Sequence, residues 1–361
     1  MTSTAPRPAI TGTDVRYFNL DFGRALAITL VTGFHIWRYF GGPVSAVSPI
    51  LASGYTGVDL FFIISGYTMS MAWQRQRRTG LARTMNFWLA RLQRIYPAYL
   101  VALTIWVILA RAGIAPKPTA TYDIVMHAMM LHTLDPATFF SVSGVFWTLA
   151  VEVHFYLLFP LLITLSRKSR LAVALLALLL DLALTLNFAG RFDPIVFPIK
   201  WNAITFLPLF LLGIELHRAG DSMAWRRFAW LAGLVALAVM YAPELFEPRF
   251  NPDSSLALFN RILIGAGLGL LCIKGLPSQV PRNPVTGLIA RLGVASYSIY
   301  LYNYIFFAAK APLVGGVVGY LLSAVAVMAF GIMMWWLIER PAEVFRHDWQ
   351  RRRAAVRQLP G

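Results

Sequence analysis

The feature that most constrains this chain is the recurrence, along almost its whole length, of apolar stretches each long enough to cross a bilayer. A helix rises about 1.5 Å per residue and the hydrocarbon core of a membrane is about 30 Å thick, so about 20 apolar residues make one span. About ten such spans are predicted, at 18–40, 50–72, 93–110, 142–165, 171–189, 202–217, 228–246, 259–276, 286–308 and 313–338. The expected fold is therefore an all-α, polytopic helical bundle embedded in lipid. A soluble core of this size would carry far more charge than the 13% found here, and more regular alternation of polar and apolar residues.

The charged residues set the expected topology. Arg75, Arg77, Arg78, Arg83, Arg91 and Arg94 lie between the second and third spans, and Arg167, Lys168 and Arg170 follow the fourth. Arg218, Arg226 and Arg227 follow the sixth, Lys274, Arg282 and Arg291 surround the gap after the eighth, and Arg346, Arg351, Arg352 and Arg353 close the chain. Clusters of this kind mark cytoplasmic loops, so both termini are expected in the cytoplasm: segment 1–17, the membrane domain 18–340 and a basic tail 341–361. The net charge of +16 does not point to nucleic acid, because the basic residues flank apolar spans instead of forming one soluble basic domain. The segment Met1–Asn19 lacks the short apolar core and small-residue cleavage site of a removable signal, so the first helix is expected to act as an uncleaved anchor of the inner membrane. The single Cys272 lies in an apolar run and reads as a packing residue. The loop Ala112–Ser141 is expected outside, with a short amphipathic helix over Tyr122–Leu134 and with His127 and His132 as solvated loop histidines instead of metal ligands.

Within the spans, a few residues are costly to bury in lipid and stand out as functional candidates. Arg24 and His35 are eleven residues apart in the first span, which on a helix places them on one stripe about 16 Å apart. Taken alone, Arg24 reads as a snorkelling anchor and His35 as a packed interior histidine. Asp59, in the second span, is expected at a depth similar to that of His35, where it would orient the imidazole. Ser65 and Gly66 fit a small-residue packing face. Arg91 and Arg94 are three apart, so their guanidinium forks share a helix face and suit phosphate. Glu152 is an acid in an otherwise apolar span and needs an interior partner, whereas His154, two positions on, points to a different face. Trp147 and Tyr156 read equally as interface anchors or site residues.

Four ordered segments carry a resemblance: Arg24 with His35, Gly57–Tyr67 (GVDLFFIISGY), Arg91–Pro97 (RLQRIYP) and Trp147–Tyr156 (WTLAVEVHFY). Together with Ser296–Tyr302 and the closing Glu339-Arg340-Pro341, they resemble the motifs of the acyltransferase family 3 membrane proteins, and the resemblance covers nearly the whole chain. It departs at Asn303, where many members place a histidine. The resemblance implies transfer of an acyl group, commonly acetyl, from acyl-coenzyme A to a hydroxyl of a carbohydrate such as an exopolysaccharide, O-antigen or lipid-linked sugar. Arg24, Arg91 and Arg94 would hold the coenzyme A phosphates, and the 16 Å step to His35 is comparable to the reach of a pantetheine arm. His35 would act as general base, with Asp59 and Glu152 as further catalytic residues and no metal. The rival from another class is a secondary transporter or lipid-linked sugar flippase, in which Arg24, His35, Asp59 and Glu152 form a proton relay. A structural scaffold gives no reason for a buried Arg and His on one stripe.

Overall fold

A computed structural model of the chain describes residues 17–40, 47–114, 119–188, 191, 193–241, 261–308, 316–346 and 348. Segment 1–16, most of the basic tail and the acidic loop with Glu244, Glu247 and Asp253 lie outside the described residues. All regular structure among those described is helical. Helix α1 is Phe18–Phe40; after the short turns Ser48–Ala52 and Ser53–Thr56 comes α2, Gly57–Gln74. The 32-residue α3, Gly80–Arg111, is followed by the short α4, Thr121–Ala128. Next are α5 (Trp147–Thr164), α6 (Arg167–Asn187), α7 (Ala203–Arg218) and α8 (Met223–Tyr241). The helical stretch 261–275 leads to α9, Pro284–Asn303, and to α10, Gly316–Met334, which continues through Trp335–Glu339.

Local chemistry marks several of these boundaries. The N-cap side chain of Ser166 accepts from the Ser169 amide at 3.1 Å, and that of Asn283 accepts from the Thr286 amide at 2.9 Å, so orphan donors at the starts of α6 and α9 are satisfied. Pro97 lies inside α3, where it takes no part as a backbone donor. Close to Pro97, the Tyr297 hydroxyl of α9 donates to the Ile95 carbonyl at 2.9 Å.

Helix occupies most of the described part of each segment expected to span the membrane, the fourth starting only at Trp147, and seven of the helical segments are long and apolar enough to cross it. The chain is a multi-pass membrane protein. Helices α1 and α9 fall outside that set of seven; both carry polar residues that line the site described below. Burial divides the spans. The spans containing α2, α5 and α7 have 56%, 56% and 61% of their residues buried in the protein, whereas those of α6, α8 and α10 have only 22% each. The peripheral helices turn side chains such as Leu175, Leu176, Leu231, Leu234, Leu321 and Leu322 outward, and an apolar outward face is stable only against lipid. Inside, α2 packs on α7 and α1 on α9. At Gly66 and Gly213 a side chain would strike the backbone carbonyls of Phe210 and Ile63 respectively, so each helix offers a glycine where the other passes. Small residues at such crossings let backbones approach where lipid supplies no hydrophobic drive.

The loop after α3 departs from expectation. Its helix stops at Ala128, and His127 and His132 are fully buried, not solvated. Their rings stack with centroids 3.9 Å apart and an interplanar angle of 5°. The His127 carbonyl accepts from the Tyr99 hydroxyl at 3.0 Å, and His154 of α5 hydrogen-bonds the Met130 carbonyl at 3.1 Å. These contacts seat the loop on α3 and α5. Burial lowers the His127 pKa to about 4, so the ring is held neutral.

Candidate active site

Five helices enclose one cavity of about 80 Å³. Helix α1 contributes Arg24; α2 contributes Val58, Phe61, Ser65 and Thr68; α3 contributes Arg91 and Arg94. Helix α5 contributes Thr148, Glu152 and Tyr156, and α9 contributes Ser296, Tyr297 and Tyr300. Four of the six residues singled out from sequence, Arg24, Arg91, Arg94 and Glu152, thus meet in a single space.

Glu152 is held by two hydroxyls, since Ser65 donates to its Oε1 in a short hydrogen bond and Tyr156 donates to the same oxygen at 2.8 Å. Ser65, which the sequence presents as a packing residue, and Tyr156, which it presents equally as an anchor, are therefore both residues of the cavity. The four-residue spacing of Glu152 and Tyr156 on one helix face was the signal that pairs them. Arg24 Nη1 lies 3.5 Å from Asp21 Oδ1, one turn earlier on α1. The Arg91 guanidinium lies 5.4 Å from the Phe87 ring centroid and 5.9 Å from that of Tyr156, and its Nε is buried without a hydrogen-bond partner. Among the described residues neither Arg91 nor Arg94 has a carboxylate within ion-pair distance, and three guanidiniums share the cavity with one carboxylate.

His35 is not a wall of this cavity. It lies further along α1, its ring 6.1 Å from that of Tyr304 and 6.4 Å from that of Tyr39. Tyr304 is four residues, about one helical turn, beyond Tyr300 of the cavity wall, so His35 sits about one turn past that end of the cavity. At this end Thr148 Oγ1 donates to the Tyr300 hydroxyl at 2.7 Å.

Asp59 faces elsewhere. Its Oδ1 is 3.6 Å from Arg261 Nε, and Arg261 Nη1 is 3.4 Å from Asp181 Oδ2. Asp59 and Asp181 side chains are each 2% exposed, and the Arg261 guanidinium lies 3.9 Å from the Phe206 ring centroid. The expectation that Asp59 orients His35 is therefore corrected: its carboxylate meets a cation on the 261–275 stretch. Neither Asp181 nor Arg261 was singled out from sequence, because only the packing of α2, α6 and that stretch reveals the network. No group of three or more His, Cys, Asp or Glu side chains suited to a metal occurs among the described residues.

The chain is thus a multi-pass helical bundle that encloses an arginine-rich cavity, with a carboxylate inside it and a histidine beyond. Residues 17–340 match the acyltransferase-domain family, acyltransferase family 3; the chain belongs to that family and is an acyltransferase. Nodulation protein 10 of Rhizobium leguminosarum bv. viciae is 27% identical over 376 residues, covering 94% of this chain and 96% of that one. A "Putative acetyltransferase" of Acidianus two-tailed virus is 27% identical over 292 residues, 78% of this chain and 80% of its own. A "Putative O-acetyltransferase" of Staphylococcus aureus (strain COL) is 27% identical over 178 residues, 44% of this chain and 27% of that longer one. No solved structure matches the chain.

Proposed function

We propose that the protein is an inner-membrane O-acyltransferase that moves an acyl group, acetyl in the first instance, from acyl-coenzyme A to a hydroxyl of a carbohydrate or glycolipid. The observation that carries this reading is the surplus of positive charge in the cavity. Elsewhere in the bundle buried cations are matched: Arg170 Nε lies 2.6 Å from Glu215 Oε1, Lys274 Nζ lies 2.6 Å from Asp221 Oδ1, and Arg261 bridges Asp59 and Asp181. Neither Arg91 nor Arg94 has a carboxylate within ion-pair distance among the described residues, and three guanidiniums sharing a low-dielectric cavity with one carboxylate favour an anionic ligand. Phosphates suit planar guanidinium forks, and the donor of this reaction carries them at the end remote from its thioester.

In this reading ten spans place both termini and the Arg91 end of the cavity on the cytoplasmic side. Arg24, Arg91 and Arg94 grip the donor phosphates, and the thioester extends past Glu152 toward Tyr300. Glu152, fixed by Ser65 and Tyr156, keeps the arginines from collapsing onto other partners. His35 takes the proton of the acceptor hydroxyl as its oxygen attacks the thioester carbonyl. The tetrahedral adduct then expels the thiolate as the C–S bond breaks, and the imidazolium returns the proton to sulfur.

Labelled acetyl-coenzyme A presented to the full chain in nanodiscs tests the reading. Arg91→Ala or Arg94→Ala is expected to weaken donor binding about 10- to 100-fold, from loss of a charge-assisted phosphate contact of about 1.5–3 kcal/mol. His35→Gln is expected to bind donor normally and to lose about 10²-fold or more in transfer. Unchanged donor affinity in both arginine variants overturns the phosphate role. Intact donor binding with no transfer to any of a panel of glycolipids favours the transporter.

A further inference from the structure

The two late segments singled out from sequence, Ser296–Tyr302 and Glu339-Arg340-Pro341, meet beside the arginines. Met334, the last residue of α10, turns inward and is 8% exposed. A regular helix would return to that face at Ile338, but the next turn is wide: the Arg340 amide reaches back five residues to the Trp335 carbonyl. The inward position falls instead on Glu339, which is 4% exposed and follows the apolar run Trp335–Ile338. Ser298 of α9, fully buried, donates to Glu339 Oε2 at 2.6 Å. The preceding residue, Tyr297, lines the cavity and donates to the carbonyl of Ile95, next in sequence to Arg94. Adjacent side chains of α9 thus hold the α10 carboxylate and the backbone beside Arg94. The stretch Trp335–Glu339 packs on both α3 and α9.

A buried carboxylate is costly unless a cation answers it. Among the described residues Glu339 has no lysine, arginine or histidine within ion-pair distance, and the cation that acts on it from further off is Arg94. The carboxylates that draw Arg94 are, strongest first, Glu339, Glu343 and Glu152. Arg24 is drawn by Asp21 and then Glu152, and Arg91 by Glu152. We propose that Glu339 is the positioning residue of Arg94: it draws the guanidinium toward α10 and away from Glu152, and so keeps the three arginines spread around the cavity. Like charges in a low-dielectric space repel, and each gains by closing on the one carboxylate that lines the cavity. With Glu339 behind it, Arg94 stays on the wall with its N–H fork open, and Glu152 is left to Arg24 and Arg91. That the open fork receives a donor phosphate rests on the acyl-coenzyme A reading above.

Labelled acetyl-coenzyme A bound to the full chain in nanodiscs tests this through a double-mutant cycle of Glu339→Gln and Arg94→Gln. Glutamine at 339 keeps the shape and an oxygen for the Ser298 hydroxyl while removing the charge. Glu339→Gln alone is expected to weaken donor binding about fivefold or more, and to change it less than about twofold when Arg94→Gln is already present. Ser298→Ala, which releases the carboxylate without removing it, is expected to give a smaller loss with the same dependence on Arg94, and it carries the cycle should Glu339→Gln not fold. Unchanged or tighter donor binding in Glu339→Gln overturns the proposal. An equal loss with and without Arg94 also overturns it, because a merely structural role would not need the arginine. Thermal midpoints without donor give a second reading of the same cycle, expected to depart from additivity by about 2 °C or more. A wild type that binds no acetyl-coenzyme A sinks the donor reading; the midpoints then decide the positioning role, which non-additivity upholds and additivity overturns.

Discussion

Replacing Arg261 with Met tests whether the second charge cluster is architecture or chemistry. Arg261 lies 3.6 Å from Asp59 and 3.4 Å from Asp181, and its guanidinium covers the Phe206 ring at 3.9 Å, so one side chain ties α2, α6 and α7 to the 261–275 stretch. Both acids are 2% exposed, with Asp59 Oδ2 and Asp181 Oδ1 making no hydrogen bond, so neither has a ready substitute for the lost cation. Removing one member of a buried ion pair costs about 3–5 kcal/mol, and two acids leaning on one cation put this case near 5 kcal/mol. At about 2–4 °C per kcal/mol, the thermal midpoint in nanodiscs is expected to fall by roughly 10–20 °C. The triple variant Asp59→Asn, Asp181→Asn, Arg261→Met removes all three charges, and its midpoint should recover most of the loss. Turnover in that triple variant then separates the roles of Asp59: near-wild-type activity assigns it to architecture, and abolished activity at a restored midpoint assigns it to the reaction. A single Arg261→Met variant melting within 2 °C of wild type refutes the reasoning about the network.

Further outcomes follow from other parts of the structure. Glu152→Gln keeps the shape that receives the Ser65 and Tyr156 hydroxyls while removing the charge facing the arginines, and is expected to lose at least about 10-fold in turnover per folded molecule with little change in yield; wild-type turnover would reduce Glu152 to packing. Burial of His127 holds its pKa down to about 4 against 6.5, so the unfolded chain binds a proton that the fold does not. Its full contribution, about 3 kcal/mol, is therefore present above pH 6.5 and is lost as pH falls toward 4; midpoints measured from pH 7 to 4 should flatten in His127→Gln. Gly213→Ala drives a methyl against the Ile63 carbonyl and is expected to destabilise by about 1–3 kcal/mol, read as a lower midpoint. Reporters inserted near Gly80 and fused after Gly361 are expected in the cytoplasm and one near Thr119 outside, and cytoplasmic labelling at Thr119 breaks the ten-span topology.

The sequence disclosed this site because charge inside an apolar span is rare enough to be informative one residue at a time. Arg24, Arg91, Arg94 and Glu152 each stood out locally, and the bundle brings them to one cavity. What stayed hidden was partnership. Asp59 stood out equally, yet its partners Arg261 and Asp181 lie on other helical segments, and nothing in the local pattern around any of the three says which segments touch. That choice is made at crossings such as Gly66 on Phe210 and Gly213 on Ile63, where close packing in lipid fixes which helices are neighbours. His127 and His132 depart from expectation for the same reason: the pattern of a polar, proline-containing loop is that of a solvated one, and only hydrogen bonds from Tyr99 and His154 seat it on α3 and α5.

The pattern of satisfied and unsatisfied groups separates structure from function more sharply than residue type does. Arg170, Arg261 and Lys274 are as basic as Arg91 and Arg94, but each is matched by a carboxylate. Each of these charges meets its opposite within the fold, and mutation of either partner strands the other. Arg91 and Arg94 have no carboxylate within ion-pair distance among the described residues, and Trp106, Ser143 and Asn303 leave donors and acceptors unmade. A fold that must gain stability from every buried group tolerates such deficits where a ligand recovers them. The two deficits differ in chemistry, with surplus positive charge at one end and neutral hydrogen-bonding capacity at the other.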